Sequence, residues 1–376
     1  MTQGPVVFVL TQSRGGPVDL TVGLAREIAG RVGGPEVRVI GPNLESSAGD
    51  VGDLLVPVTI ASKGDTRGAR ELRRQVHEAS PWIVHAQDRR AALFVASVAR
   101  PRAPVVVTMH GVPDGAARWW VQGGPLHHQP VAPGAAAVLM GDALIGRVVD
   151  AVVAPSQTMA RFLRDRLRIP ARRIEVITNG VAPRDARPLA DRARVYISVG
   201  SFAAIKGMRS LLRAFAEVVR THPDVELRLI GDGDERAACE RLVAELGFGA
   251  HVEFAGYRLD VAEQLRLADV FVLPSLNENL PLALLEAMAT GLACVAADVG
   301  AVREALRTGA GLVVPPGDER ALAAALARLA DEPGLGARLG GAAAAAAAQF
   351  TTARAADEHL ALWRSLTTPG ANIQRP

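Results

Sequence analysis

Short apolar runs alternate along this chain with longer amphipathic stretches, the rhythm of strand–helix–strand units that build parallel sheets. In the first half the runs predict strands at Val6–Thr11, Val37–Ile40, Ile83–His85, Val105–Met109, Ala151–Ala154 and Glu175–Ile177. Helical periodicity lies between them at Val18–Arg31, Thr66–Ala79, Arg90–Val98 and Gln157–Leu167. The stretch Gly111–Gly134 is rich in Pro and Gly and has no period, so it reads as a long loop of the kind that often carries function. After a polar, Pro-containing segment, Ala182–Arg194, a second series begins. Its strands are expected at Val195–Val199, Glu226–Ile230, Val252–Phe254, Val270–Leu273, Ala293–Ala296 and Gly311–Val314. Its helices are expected at Met208–Thr221, Asp234–Leu246, Val261–Leu267, Pro281–Thr290 and Glu319–Asp331. The seven-Ala run Ala342–Ala348 favours helix. Two α/β domains, each a doubly wound parallel sheet, account for the pattern.

Composition agrees with that division. A length of 376 residues suggests two or three domains, and 49% hydrophobic with 22% charged residues is ordinary for a globular chain. Charge is unevenly spread: residues 1–190 hold 23 Lys/Arg against 16 Asp/Glu, and the remainder 19 against 23. A basic first half fits either an anionic partner or helix faces solvated by arginine. Arg161, Arg164, Arg168, Arg172 and Arg173 form one candidate patch for peripheral contact with an anionic membrane. Nucleic acid is disfavoured, because the basic half lacks interleaved aromatics. The two cysteines, Cys239 and Cys294, suggest neither a disulfide framework nor a metal cluster. The first residues lack a basic leader, and the apolar stretch Pro130–Pro155 is broken by Asp142, Arg147 and Asp150. A cytoplasmic protein, in peripheral contact with the inner membrane face or free of it, is the expectation.

Candidate chemistry concentrates in PSLNENLPLALLEAMATGLACVAADVGAVRE, residues 274–304. It follows an apolar strand, where parallel sheets place ligands beyond the carboxyl ends of strands. Pro281 suits a first helical turn, with Asn277, Glu278 or Asn279 as candidate caps. The backbone N–H groups near Leu280–Ala283 would then face phosphate oxygens with the helix dipole behind them. Glu278 and Glu286 are either a cap and a surface carboxylate or acceptors for a hydroxyl-rich ligand.

The segment resembles the signature of the retaining glycosyltransferase group 1 (the family-four class). That signature has Pro-Ser, a Glu, seven intervening residues and a second Glu inside Leu-Glu-Ala-Met-Ala. Here these are Pro274, Ser275, Glu278, Pro281, Glu286, Ala287, Met288 and Ala289, followed by Gly291, Val295, Asp298, Gly300 and Glu304. SVGSFAAIKGMRSLLRAFAEV (198–218) looks like the family's strand and Lys-Gly turn at the donor diphosphate, with Lys206 as the phosphate contact and Gly200 and Ser201 beside it. The family commonly has Arg where Ser201 stands, and Arg209 is a candidate substitute. LRLIGDGDE (227–235), with Gly231 and Gly233, resembles the turn beside the nucleotide, and VEFAGY (252–257), ending at Tyr257, the loop facing the base. As a dinucleotide fingerprint the first is incomplete, since Arg236 stands where a third Gly belongs.

In the first half Arg14-Gly15-Gly16-Pro17 matches the family's Gly-Gly turn facing the donor, and VVVTMHG (105–111) puts His110 near the donor sugar. WIVHAQD (82–88), APSQTMARFL (154–163) and VITNGV (176–181) complete the match, with His85 expected to be architectural and Asn179-Gly180 to form a turn. His127 and His128 lie in the irregular loop without metal-ligand spacing.

The resemblance implies the GT-B architecture, two Rossmann-like domains facing an interdomain cleft. The first would be an acceptor-binding domain, 1–182 plus a C-terminal helix about 352–376; the second would bind the nucleotide sugar, 190–351. Glu286 would take ribose hydroxyls, Glu278 the donor sugar, and Lys206 with the helix start the leaving diphosphate; Asn279, Leu280, Pro281 and Leu282 would line the donor site. Glu278, Lys206 and His110 are the expected catalytic group. Transfer is expected to go from a nucleoside diphosphate sugar, uridine diphosphate favoured, to an unidentified hydroxyl acceptor with no metal or other cofactor. A sugar-nucleotide epimerase or coupling enzyme of the same fold stays open, as does a non-catalytic nucleotide-sugar-binding partner; a nicotinamide dehydrogenase fits less well.

Overall fold

The computed structural model describes residues 4–119, 131–186 and 190–368. The chain forms two compact units. One takes in the described residues up to Gly111, Ala136–Val181 and those from Thr351 onward; the other comprises the described residues of 112–135 and 182–350.

The first unit is built on seven parallel strands in the order β3-β2-β1-β4-β5-β6-β7. They are β1 (Val6–Val9), β2 (Val37–Gly41), β3 (Leu55–Pro57), β4 (Ile83–Ala86), β5 (Val105–Thr108), β6 (Ala151–Ala154) and β7 (Ile174–Val176). The inner strands are covered on both faces, which is why they read as unbroken apolar runs rather than as alternation. Strand β3 was not expected. It is a three-residue, half-exposed edge strand, and Pro57 interrupts the apolar run Leu54–Val58 in which it lies.

The helices of this unit are α1 (Gly16–Ala29), α2 (Thr66–Ala79), α3 (Arg89–Phe94), α4 (Pro133–Val148) and α5 (Gln157–Asp165). Asp65, Asp88 and Ser156 cap α2, α3 and α5 by accepting from a first-turn N–H. Helix α3 runs on into a π-helical turn, Val95–Ala99. Helix α4 begins inside the stretch expected to be a loop; its Ala- and Gly-rich sequence has little amphipathic period to betray it. Asp114–Trp119, which belong to the second unit, form a 3-10 helix.

The second unit has six parallel strands in the order β10-β9-β8-β11-β12-β13. They are β8 (Val195–Val199), β9 (Glu226–Ile230), β10 (Val252–Gly256), β11 (Val270–Leu273), β12 (Ala293–Ala297) and β13 (Leu312–Val314). Its helices are α6 (Met208–Thr221), α7 (Arg236–Leu246), α8 (Val261–Arg266), α9 (Leu282–Ala289), α10 (Val302–Ala305), α11 (Glu319–Asp331) and α12 (Leu335–Ala347). Along α12 the buried positions Leu335, Leu339, Ala343 and Ala347 recur every four residues, so the Ala run is a close-packing face and not only a helix former. In the core Tyr196 stacks edge-on against Phe215 and its hydroxyl donates to the Leu326 carbonyl at 2.9 Å.

The last helix, α13 (Thr352–Thr367), belongs to the first unit's core. Trp363 is fully buried against Phe8 and His85, with ring centroids 5.8 Å from each. Its entry is fixed beside Val181: Thr352 N–H donates to the Val181 carbonyl at 3.1 Å, and a Cβ at Gly180 would fall 2.6 Å from the Thr351 oxygen.

Candidate functional site

The loop after β11 is held by its neighbours before α9 begins. Gly207 follows the Lys206 turn with φ 69°, and a Cβ there would lie 2.2 Å from the Pro274 carbonyl oxygen. Only glycine permits that approach. Leu276 N–H donates to the Ile205 carbonyl at 2.8 Å, which ties the two turns together. As a result Lys206 Nζ lies 2.5 Å from Glu278 Oε1, and Ser275 Oγ donates to the same oxygen at 3.1 Å. Both charged side chains are largely shielded, at 27% and 14% exposure, so their attraction is screened less than a surface pair's.

On the other side, Gly300 (φ 52°) brings its backbone against Glu278 and Asn279, and Ala301 N–H donates to the Asn279 carbonyl at 2.8 Å. Asn279 is buried and is not among the residues with positive φ, so its backbone carries no left-handed strain. Asn277 donates to Asp114 at 3.4 Å.

Helix α9 starts one residue later than expected, and none of Asn277, Glu278 or Asn279 caps it. Pro281 is the N-cap in extended conformation (φ −71°, ψ 129°), with no side-chain cap bond. The Glu278 carboxylate is engaged by Lys206 instead. The first amides of α9 have no acceptor within the helix itself, and Leu285 N–H makes the first bond, to the Pro281 carbonyl. Leu280 is buried, and Pro281 and Leu282 are half-buried at this start. One and a half turns on, Glu286 Oε1 accepts from Arg184 Nη2 at 2.9 Å, the two side chains being 18% and 17% exposed. The sequence assigned Arg184 no role, since it falls in the polar connecting segment.

The turns at the ends of β8 and β9 are packed against each other. Cβ atoms at Gly231 (φ 136°) and Gly233 (φ 154°) would lie 1.9 Å from the Gly200 oxygen and 2.8 Å from the Phe202 oxygen. Phe202 N–H donates to the Asp232 carbonyl and Gly231 N–H to the Gly256 carbonyl. These glycines therefore serve backbone-to-backbone approach. Ser201 is exposed, and Arg209 is 53% exposed with Glu235 at 3.7 Å, while Tyr257 is exposed just past β10. Asp232-Gly233-Asp234 has Asp-x-Asp spacing, yet Asp232 accepts from Gly233 N–H at 2.8 Å and has Arg236 at 3.9 Å. Among the described residues no group of three or more His, Cys, Asp or Glu side chains is placed to hold a metal ion.

In the first unit Gly15 caps α1 with φ 101° and open space where a Cβ would stand, and Gly16 is the first helical residue. His110 follows β5 and shares a pocket with Gln87, Thr108, Asn179, Thr352 and His359. Burial, then the neighbouring Arg89, push His110 down to about 4, against a hydrogen bond to the Gln87 backbone. The ring is therefore neutral near pH 7. Arg89 pairs with buried Asp142 at 2.8 Å and also donates to the Gly111 carbonyl, which fixes the segment after His110. Burial raises Asp142, with Arg89 opposing. His85 is fully buried, its Nε2 2.8 Å from Thr108 Oγ1 and its ring 5.3 Å from that of His359. His127 and His128 lie outside the described residues.

In the basic segment Arg161, Arg164, Arg168 and Arg172 are exposed, but Arg164 is paired with Asp165 at 2.7 Å and Arg173 donates to the Val149 carbonyl. Among the described residues no helix is long and apolar enough to cross a membrane.

Two parallel-sheet Rossmann-like units with a Lys-Gly turn set against a Glu-bearing loop define the GT-B class of fold. Residues 14–185 match the family model "Glycosyltransferase Family 4" and residues 193–332 match "Glycosyl transferases group 1". The two matches take in most of the chain, and it belongs to this glycosyltransferase family. A D-inositol 3-phosphate glycosyltransferase of Thermobispora bispora is 34% identical over 246 residues, 58% of each chain. The chain thus spans less than two thirds of that relative's length, and only 20% of an exopolysaccharide phosphotransferase of Streptomyces coelicolor that it matches at 32% identity. In fold, the chain is similar to sucrose-phosphate synthase from Thermosynechococcus elongatus, with TM-score 0.79, 21% identity, and 97% and 99% of the two chains covered. It is also similar to Anabaena HepE in complex with UDP-glucose, with TM-score 0.77, 19% identity, and 96% and 100% covered.

Proposed function

We propose that the protein is a retaining hexosyltransferase that moves a sugar from a nucleoside diphosphate sugar, uridine diphosphate favoured, to an acceptor hydroxyl without a metal ion. The observation that carries this reading is the 2.5 Å pairing of Lys206 with Glu278 on two turns that hold each other in place. Free of ligand, the pair keeps both charges compensated. When the donor binds, its diphosphate takes the Lys206 ammonium and Glu278 turns to the sugar hydroxyls. Glu286 accepts from the ribose, and the uncapped start of α9 faces phosphate oxygen.

In the reaction the bond between the anomeric carbon and the phosphate oxygen breaks, and the acceptor oxygen bonds to the same face. The acceptor proton passes to the departing phosphate, giving a glycoside and a nucleoside diphosphate. Lys206 and the α9 amides stabilise the charge gathering on the leaving group, the kind of electrostatic contribution that dominates such catalysis. No carboxylate acts as nucleophile. His110 is neutral by virtue of its burial, so it can give a hydrogen bond but not a proton near pH 7. Similarity to HepE, whose structure holds UDP-glucose, supports the choice of donor.

Nucleoside diphosphate released from the donor only in the presence of an acceptor tests the reading. A second reading, a nucleotide-sugar-binding partner without transfer, is favoured by Ser201 at a position where the family has Arg; nucleotide-sugar binding without turnover across a broad acceptor panel would select it. Co-sedimentation with anionic liposomes tests whether the acceptor is presented at a membrane surface beside Arg161–Arg173.

A further inference from the structure

Arg184 occupies a place that the rest of the donor site does not explain. It leaves the connecting segment to donate through Nη2 to Glu286 Oε1 at 2.9 Å. Its other terminal nitrogen, Nη1, is buried and has no hydrogen-bond partner among the described residues. A shielded guanidinium nitrogen with no acceptor is costly, because it has given up water and gained nothing in return. Such an atom beside a carboxylate assigned to ligand hydroxyls is accounted for when a ligand oxygen completes it.

We infer that Arg184 is a donor-binding residue, with Nη2 fixing the Glu286 carboxylate and Nη1 donating to a ribose oxygen of the bound nucleotide. The inference rests on the nucleotide-sugar reading of the site. A guanidinium suits both tasks at once, since its planar fork holds two acceptors in a set geometry that a lysine cannot reproduce. It also offsets the charge of Glu286, which would otherwise oppose a diphosphate bound nearby. The site thereby gains a cation that the β8 turn lacks at Ser201, and gains it from the segment that enters the unit rather than from the motif.

Calorimetric titration of the intact chain tests this. The probe is whichever of UDP, GDP and ADP the wild type binds tightest, together with its 2′,3′-dideoxy counterpart. Arg184→Ala is expected to weaken binding of the ribonucleotide about tenfold, the usual size of one lost charge-assisted bond. It should weaken the dideoxy compound far less, so that the preference between them shrinks. Arg184→Lys should restore the charge but not the preference. In Arg184→Ala/Glu286→Gln the loss should be smaller than the product of the two single losses. Wild-type affinity in Arg184→Ala, or an equal loss for both compounds, would overturn the assignment while leaving the nucleotide site intact. A wild type that binds none of the three diphosphates would overturn the nucleotide reading and the inference together. Circular dichroism melting separates a folding defect in Arg184→Ala from lost contact, and Arg184→Lys supplies the same comparison if the alanine variant unfolds.

Discussion

Lys206 Nζ and Glu278 Oε1 lie 2.5 Å apart although 72 positions of chain separate them. Neither element would set that distance alone. It follows from Gly207 lying against the Pro274 carbonyl and from the bond of Leu276 N–H to Ile205. The pairing places the only lysine of this unit on the carboxylate that begins the family motif.

Lys206→Ala is expected to lower turnover by about two to three orders of magnitude, the size of effect seen when one preorganised charge-stabilising donor is removed. The fold should persist, because the side chain is only partly buried. Steady-state release of nucleoside diphosphate, beside a circular dichroism melt, checks this; near-normal turnover would remove Lys206 from the mechanism.

Gly207→Ala should damage the same pairing from behind. The left-handed backbone and the 2.2 Å approach to the Pro274 oxygen leave no room for a methyl group. A cost of about 1–3 kcal/mol is expected from the backbone strain alone, with turnover falling because the Lys206 turn must shift. Urea denaturation measures the first part and initial rates the second. Unchanged stability would mean that the two turns are not packed as described.

Three histidines of the first unit, the buried His85 and His359 and the half-buried His110, make a pH prediction. Burial lowers His85 well below its ordinary value, and His110 and His359 to about 4. An unfolded histidine titrates near 6.5, so between about pH 6.5 and 4 the unfolded chain takes up protons that the fold refuses. Stability is therefore full above that window and falls as pH drops through it, by up to about 1.4 kcal/mol per pH unit for each ring. Replacing His359 with Gln should flatten the slope measured by denaturation at pH 7, 6 and 5. The same slope in wild type and variant would contradict the neutral assignment of that ring.

Much of the fold was legible because buried parallel strands announce themselves as apolar runs. The bounds of β6, β8, β9 and β11, and of α2, α6 and α11, agree with the periodicity residue for residue. What escaped lacked such a signal: β3 is a short edge strand, and α4 is nearly uniform in Ala, Gly and apolar residues. At the site, the sequence marked Glu278, Glu286 and Lys206, but not the pairing of Lys206 with Glu278 and not Arg184. Arg184 lies in a segment with no period, and its pairing with Glu286 is a long-range contact that local sequence does not encode. The expected side-chain cap of α9 failed for a related reason, since Glu278 is claimed by a residue on another turn.

On the proposed function, Lys206, Glu278 and Glu286 hold a nucleoside diphosphate sugar. Thermal shift of the wild type with a panel of nucleotide sugars tests it most directly, because a ligand specific to the native state raises stability by RT ln(1 + [L]/Kd). At a ligand concentration about 100 times Kd the gain is about 2.7 kcal/mol, a shift of several degrees. The account predicts such a rise for at least one nucleotide sugar, UDP-glucose first among them, and its loss in Glu286→Ala and Lys206→Ala. No shift with any nucleotide sugar, or an equal shift in all three proteins, would contradict it.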